Sequence, residues 1–248
     1  SSCLELLQLL SPCLLEILRI WHSGSINFHA HRHPGNYPVD PWGSDHFHKF
    51  SDQCAGDKKD PSMKFLDRIL QNLRFRQVER YIPQNCSVLD IGCDNGAFYQ
   101  KNQSKVANYV GIDSNIKQAV SSDNYTLIKG IFPDDLPPVE DWFDIVVALA
   151  VIEHIPPVKQ NEFSAVSFAC MKHGGMLIIT TPSPAVDKIL ELLARFKLID
   201  GMSMEQHYGF DPKLVPTIFV NSGFFLVKKH KFQFGLNNLF IFQKPLPG

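Results

Sequence analysis

The chain has 248 residues, of which 44% are hydrophobic, 20% charged and 11% aromatic, the composition of a globular protein with a sizeable core. Lys and Arg number 24 against 25 Asp and Glu, a net charge of −1, so no global field draws the chain to nucleic acid or to an anionic membrane. Six cysteines without a CxxC pair argue against a zinc site and a disulfide framework, and for reduced thiols in a cytoplasmic protein.

The first apolar run, CLELLQLLSPCLLEILRI, is interrupted by Glu5, Gln8, Pro12 and Glu16. It reads as one helix or a helical hairpin, too polar for a membrane span and wrongly flanked for a signal peptide. Residues 22 to 61 follow without a sustained period. His22, His29, His31, His33, His46 and His48 lie there, but HAHRH has no Cys or carboxylate at ligand spacing, so no metal is expected. Residues 1–60 are therefore expected to form a helical and irregular attachment, and residues 61–248 the main domain.

Leu66, Ile69, Leu70 and Leu73 recur at helical spacing with Lys64, Arg68, Arg74 and Arg76 around them, which predicts an amphipathic helix within residues 62–82. Short apolar runs then alternate with helical stretches. The strands are expected at 86–91, 109–112, 125–130, 143–150 and 175–180, with helices near 97–104, 115–121 and 157–171. FDIVVALA and GMLIIT are apolar almost throughout, as strands covered on both faces must be. Such alternation gives a doubly wound α/β sheet with helices on both faces. The end departs from that rhythm: FFLVKKHKFQF, GLNN and LFIFQKP read as an antiparallel hairpin at the sheet's edge.

The first strand opens into VLDIGCDNGAF, residues 88–98. In an open α/β sheet the ligand sits beyond the carboxyl ends of the strands, at the point where strand order reverses. A dinucleotide site wants GxGxxG, but Asp94 stands where the second glycine should let a pyrophosphate approach, and the Lys and hydroxyl of a Walker loop are absent. Acidic residues before and within the loop, Asp90 and Asp94, suit a ligand that is cationic there and carries one carboxylate for the backbone N–H groups near the helix start. S-adenosylmethionine has those features.

Four segments, VLDIGCDNG, GIDSN, FDIVVALAVIEHI and MKHGGMLIITTP, together resemble the motifs of class I S-adenosylmethionine-dependent methyltransferases of the small-molecule group, in the family's order and spacing. The resemblance runs from about Lys64 to Pro245. It implies a Rossmann-like mixed sheet of seven strands with a reversed edge strand, and a methyl transfer that leaves S-adenosylhomocysteine. Residue by residue, Asp90, Gly92 and Gly96, with Cys93 between them, match the loop that seats the methionine part. Asp113, followed by Ser114, matches the acidic residue that takes the ribose hydroxyls, a carboxylate offering two oxygens to two O–H donors; an N-cap is its bland alternative.

Ile131 stands where the family often has an Asp for the adenine, leaving adenine to apolar packing and backbone hydrogen bonds near Ile131 and Phe132, with Asp134 a substitute only if its loop bends back. Ala148 and Leu149 match residues whose backbone faces the methionine moiety. Glu153 and His154 follow, and His154 is either a general base for a hydroxyl or a structural residue. His207 and Tyr208 match a substrate-contacting pair, beside an apolar wall of Met202, Met204 and Phe210. The implied acceptor is a small or medium organic molecule, with oxygen preferred. The alternative is a catalytically weak relative that serves as a partner subunit; oligomeric state is left open.

Overall fold

The computed structural model describes residues 71–183, 210–233 and 235–248, all within one compact unit, residues 50–248. Residues 71–78 are helical (α1) and run into a single 3-10 turn, Glu79–Tyr81. The strands are β1 (Cys86–Ile91), β2 (Val106–Asp113), β3 (Val120–Ser122), β4 (Tyr125–Lys129), β5 (Phe143–Leu149), β6 (Met171–Pro182), β7 (Phe225–Phe232) and β8 (Asn237–Gln243). The further helices are α2 (Ala97–Asn102), α3 (Pro157–Cys170) and α4 (Val215–Asn221).

One sheet in the order β3-β4-β2-β1-β5-β6-β8-β7 contains all eight strands. β4, β2, β1, β5 and β6 are parallel neighbours, and β8 is antiparallel to both β6 and β7. β1 is buried at every position, which is why its sequence is an apolar run and not an alternation. Alternate residues supply the two core layers. Val88, Ile145, Val147, Ile178 and Ile241 share one layer with Phe75 and Val78 of α1 and Phe98 of α2. On the other layer Phe219 of α4 packs 5.1 Å, centroid to centroid, from Phe242, and Phe163 of α3 meets Phe219 at 6.2 Å. Each such fully buried ring contributes about 1.5–3 kcal/mol relative to exposure.

The C-terminal segment is tied to the sheet by one buried ammonium. Lys244 Nζ donates to Asp141 Oδ1 at 2.7 Å, to the Phe168 carbonyl at 2.9 Å and to the Met171 carbonyl at 2.8 Å. Three acceptors match the three donors of a lysine, which is what makes its burial tolerable.

Two details differ from the sequence expectation. The helix expected at 115–121 is a turn followed by β3, which pairs antiparallel with β4 across Asp123 and Asn124; the sheet therefore has eight strands, not seven. Val120, Ser121 and Ser122 are poor helix formers. The reversed strand β8 also lies inside, between β6 and β7, leaving β7 outermost.

Candidate functional site

The carboxyl ends of β1, β2, β4 and β5 lie side by side where strand order reverses, the place where an open α/β sheet binds its ligand. The turn after β1 depends on its glycines. Gly92 has φ +74° and Gly96 φ +72°, the left-handed region that costs a side-chain-bearing residue about 1–2 kcal/mol. A Cβ at Gly92 would overlap Val151, and one at Gly96 the Tyr125 hydroxyl. The Gly92 N–H donates to the Ile112 carbonyl at 2.9 Å and the Gly96 N–H to the Cys93 carbonyl at 2.9 Å. Asp94, between them, also has positive φ, +49°, a conformation Asp tolerates better than most residues.

Asp113 closes β2 and fixes this turn. Its carboxylate accepts the Asp94 N–H at 3.0 Å on one oxygen and the Asn115 N–H at 2.7 Å on the other. A carboxylate has about four lone-pair sites, so an acceptor remains on each oxygen. The N-terminal capping alternative for Asp113 falls away, because no helix follows it.

Asp90 is buried, 3% exposed, and its Oδ2 accepts the Tyr109 hydroxyl at 2.6 Å. Burial pushes its carboxyl up to about 7; the Tyr109 hydrogen bond opposes that, and the Asp113 charge adds to it. Burial also raises the Cys93 thiol, helped by Asp90 and Asp113. A small cavity is lined by Gln71, Arg74 and Phe75 of α1, by Asp90, Gly92 and Cys93, and by Leu149 at the end of β5. It thus sets a guanidinium and a carboxyl into one recess.

Beyond β5, Ala150 turns the chain with φ +61° and brings Val151 over Gly92. Ile152–His154 form one 3-10 turn, with Glu153 buried and His154 half-buried. After β4, the Ile131 N–H donates to Asp135 at 2.8 Å.

A methyltransferase-domain family model matches residues 58–218, well over half of the chain. The chain belongs to that methyltransferase family. No curated protein sequence matches it. Solved structures of similar fold include a chain of the Haloferax volcanii complex between the Trm112 methyltransferase activator and its methyltransferase-type partner, with a TM-score of 0.57 at 13% identity over 76% of this chain and 100% of that one. A SAM-dependent methyltransferase from Archaeoglobus fulgidus has a TM-score of 0.51 at 16% identity, covering 75% of this chain and 100% of its own. N-methyltransferase NodS from Bradyrhizobium japonicum WM9 has a TM-score of 0.51 at 15% identity, over 72% and 98%. At such identities the likeness speaks for the α/β Rossmann-like fold alone.

Membership in the methyltransferase family implies S-adenosylmethionine as cofactor, and the donor set fits that molecule. Asp113 would hold the ribose diol with its two carboxylate oxygens, and the carboxyl of Asp90 would meet the ammonium of the methionine part. Of the residues the sequence singled out, Asp90, Gly92, Cys93, Gly96, Asp113, exposed Ser114 and Leu149 gather at this sheet end.

Two expectations are corrected by burial and direction. Phe132 is 5% exposed and sets its ring edge-on to Phe163 at 4.9 Å, so its ring belongs to the core and, of the two side chains, only Ile131, 59% exposed, presents apolar surface there. Ala148 stands in register with Ile91 and Ile179, its side chain buried in the sheet. Asp134 does not bend back: it pairs with Lys159 of α3 at 3.4 Å. His207, Tyr208, Met202, Met204 and the histidine-rich stretch lie outside the described residues, and Phe210 is half-buried. Among the described residues no cluster of His, Cys, Asp and Glu could hold a metal, and no helix is long and apolar enough to cross a membrane.

Sequence reasoning missed Arg74, Tyr109 and Val151. Arg74 is one of several basic residues on an amphipathic helix, with nothing to distinguish it. Tyr109 reads as another apolar strand residue, and Val151 acquires its role only through the turn at Ala150.

Proposed function

We propose that this protein transfers the methyl group of S-adenosylmethionine to an oxygen of a small or medium organic acceptor in the cytoplasm. The observation that carries the reading is the acidic, glycine-turned end of the sheet, where Asp113 is pre-oriented by two backbone N–H donors and Asp90 and Arg74 line a recess. When bound there, the cofactor supplies a sulfonium methyl, already activated for in-line displacement. The chain's task is then to hold the acceptor in line and to exclude water. His154, on the turn after β5, takes the proton from the acceptor O–H as its oxygen attacks, a role suited to a side chain whose ordinary pKa is close to neutral. Glu153, buried beside it, orients that turn. The stretch that includes His207 and Tyr208, which resembles the family's substrate-contacting segment, supplies acceptor contacts.

A second reading, a weakly active relative that works as a partner subunit, is favoured by the adenine side. Ile131 replaces an acidic residue there, and its N–H is already taken by Asp135. The experiment is label transfer from methyl-tritiated S-adenosylmethionine to a panel of phenols, catechols and primary amines. Labelled ether products, reduced about 100-fold in His154→Gln, in line with the 10²–10⁴-fold worth of general-base catalysis, support the proposal. Labelled amine products would overturn the acceptor atom. Weak or absent cofactor binding together with no transfer would favour the partner subunit.

A further inference from the structure

We infer that Tyr109 is a positioning residue for the cationic end of the cofactor, acting through Asp90, and that the Asp90–Tyr109 pair makes cofactor binding release a proton. The inference rests on the cofactor reading above and adds a residue and a linkage to it.

The Asp90 carboxyl lies on β1, 3% exposed, at the wall of the recess. From β2 it faces the Tyr109 hydroxyl, its hydrogen-bond donor at 2.6 Å, and the Asp113 carboxylate. From the loop after β1 it faces the Cys93 thiol, which is 5% exposed. From β4 and α2 come the phenols Tyr125, stacked on Tyr109 at 5.4 Å, and Tyr99, tilted against it at 5.0 Å. From α1, Arg74 borders the same recess. On the β5 side the neighbours in register are Val147 and, next along, Ala148. The immediate shell therefore holds a second carboxylate, a thiol and phenols, and one cation across the cavity. Such a shell disfavours a bare carboxylate and favours the protonated acid until a cation arrives.

Tyr109 is held as firmly as a side chain can be. It is 1% exposed, packed in a cluster with the rings of Tyr99 and Tyr125, and its ring edge would lie 3.0 Å from a Cβ at Gly111; the same missing Cβ leaves room for Cys93 Sγ, 2.6 Å from that point. Its hydroxyl thus aims the carboxyl into the recess and stabilises the ionised form when an ammonium binds. On binding, the Asp90 O–H bond breaks, the proton leaves to solvent, and the carboxylate pairs with the ligand's ammonium. No electron transfer or further reactant is involved.

S-adenosylhomocysteine is the probe, since it keeps the ammonium and lacks the reactive methyl. Calorimetric titration of the full chain between pH 6 and 8.5, in two buffers of different ionisation enthalpy, is expected to show affinity rising about tenfold per pH unit below pH 7, levelling above it, with close to one proton released per ligand at pH 6. Tyr109→Phe removes the donor that favours the ionised form. Its affinity is expected to fall at least fivefold at pH 6.5 yet stay within twofold of wild type at pH 8.5, and Asp90→Asn is expected to show a flat profile. Equal weakening of Tyr109→Phe at every pH would mean that the phenol only packs, and would overturn the inference. So would a wild-type profile that is flat and releases no proton, a readout that stands even if both variants fail to fold. Those results leave the cofactor reading intact, whereas no binding at any pH would sink both.

Discussion

Replacing Gly96 by Ala tests whether the glycine turn is shaped by Tyr125. Gly96 has φ +72°, which costs an alanine about 1–2 kcal/mol. Its added methyl would also overlap the Tyr125 hydroxyl. Tyr125 has little room to retreat, because its ring is stacked on Tyr99 at 4.7 Å and on Tyr109 at 5.4 Å. Overpacking of this kind costs about 1–3 kcal/mol, so Gly96→Ala should destabilise by about 2–5 kcal/mol in total. Removing the offending oxygen in Tyr125→Phe costs less than about 1 kcal/mol alone. The double variant should recover the overpacking part and keep the backbone part. Urea unfolding of the four proteins, followed by near-ultraviolet circular dichroism, gives the coupling free energy directly. A coupling of about 1–3 kcal/mol is expected; additivity within about 0.5 kcal/mol would refute the claim that the hydroxyl fills the space a side chain would need.

Three further outcomes follow from the same structure. Lys244→Ala strands the Phe168 and Met171 carbonyls and should cost about 2–4 kcal/mol in urea unfolding; Asp141→Ala leaves that buried ammonium without its carboxylate and should also destabilise, and an unchanged midpoint would contradict the pairing. Burial raises the Asp90 carboxyl in the folded state to about 7 from its ordinary value of 3.8. The fold therefore binds more protons than the unfolded chain between those values and loses stability as pH rises through that window. Asp90→Asn should accordingly melt higher than wild type at pH 8, with the gap closing towards pH 4; a constant gap would contradict the assignment. Cys86 and Cys170 are pushed up by burial to about 11 and about 12, so at pH 8 only about a thousandth or less of either is thiolate. Mass-spectrometric mapping after brief iodoacetamide treatment should find both unmodified in the native protein and modified in urea.

Much of the scaffold could be read in advance because its strands are buried on both faces, which makes CSVLDI and FDIVVAL nearly uniform in apolarity and so conspicuous. The expected 86–91 coincides with β1, and 143–150 ends one residue beyond β5. The stretch 115–121 failed for a local reason: Ile116 is buried as a helix face would have it, but Val120 and the serines after it pair with β4. The site divides the same way. The glycines that turn the chain after β1, Gly92 and Gly96, and Asp113 at the end of β2 were marked by the family motifs, and they stand together at the sheet end. Residues whose role depends on which way a side chain turns were not legible: Phe132 faces the core although its neighbour Ile131 is exposed, and Asp135 instead of Asp134 takes the Ile131 N–H. Tyr109 becomes significant only once β1 and β2 stand in register and bring its hydroxyl to Asp90.

The most direct test of the account is whether the recess between Asp90 and Asp113 binds the cofactor. Calorimetric titration of the purified chain with S-adenosylhomocysteine at pH 8 is expected to give a micromolar dissociation constant. Asp113→Ala, which removes the acceptors for the ribose hydroxyls and releases the Asp94 and Asn115 N–H groups, should weaken it by about a hundredfold or more. No heat at millimolar ligand, or an Asp113→Ala variant that binds as tightly as the wild type, would contradict it.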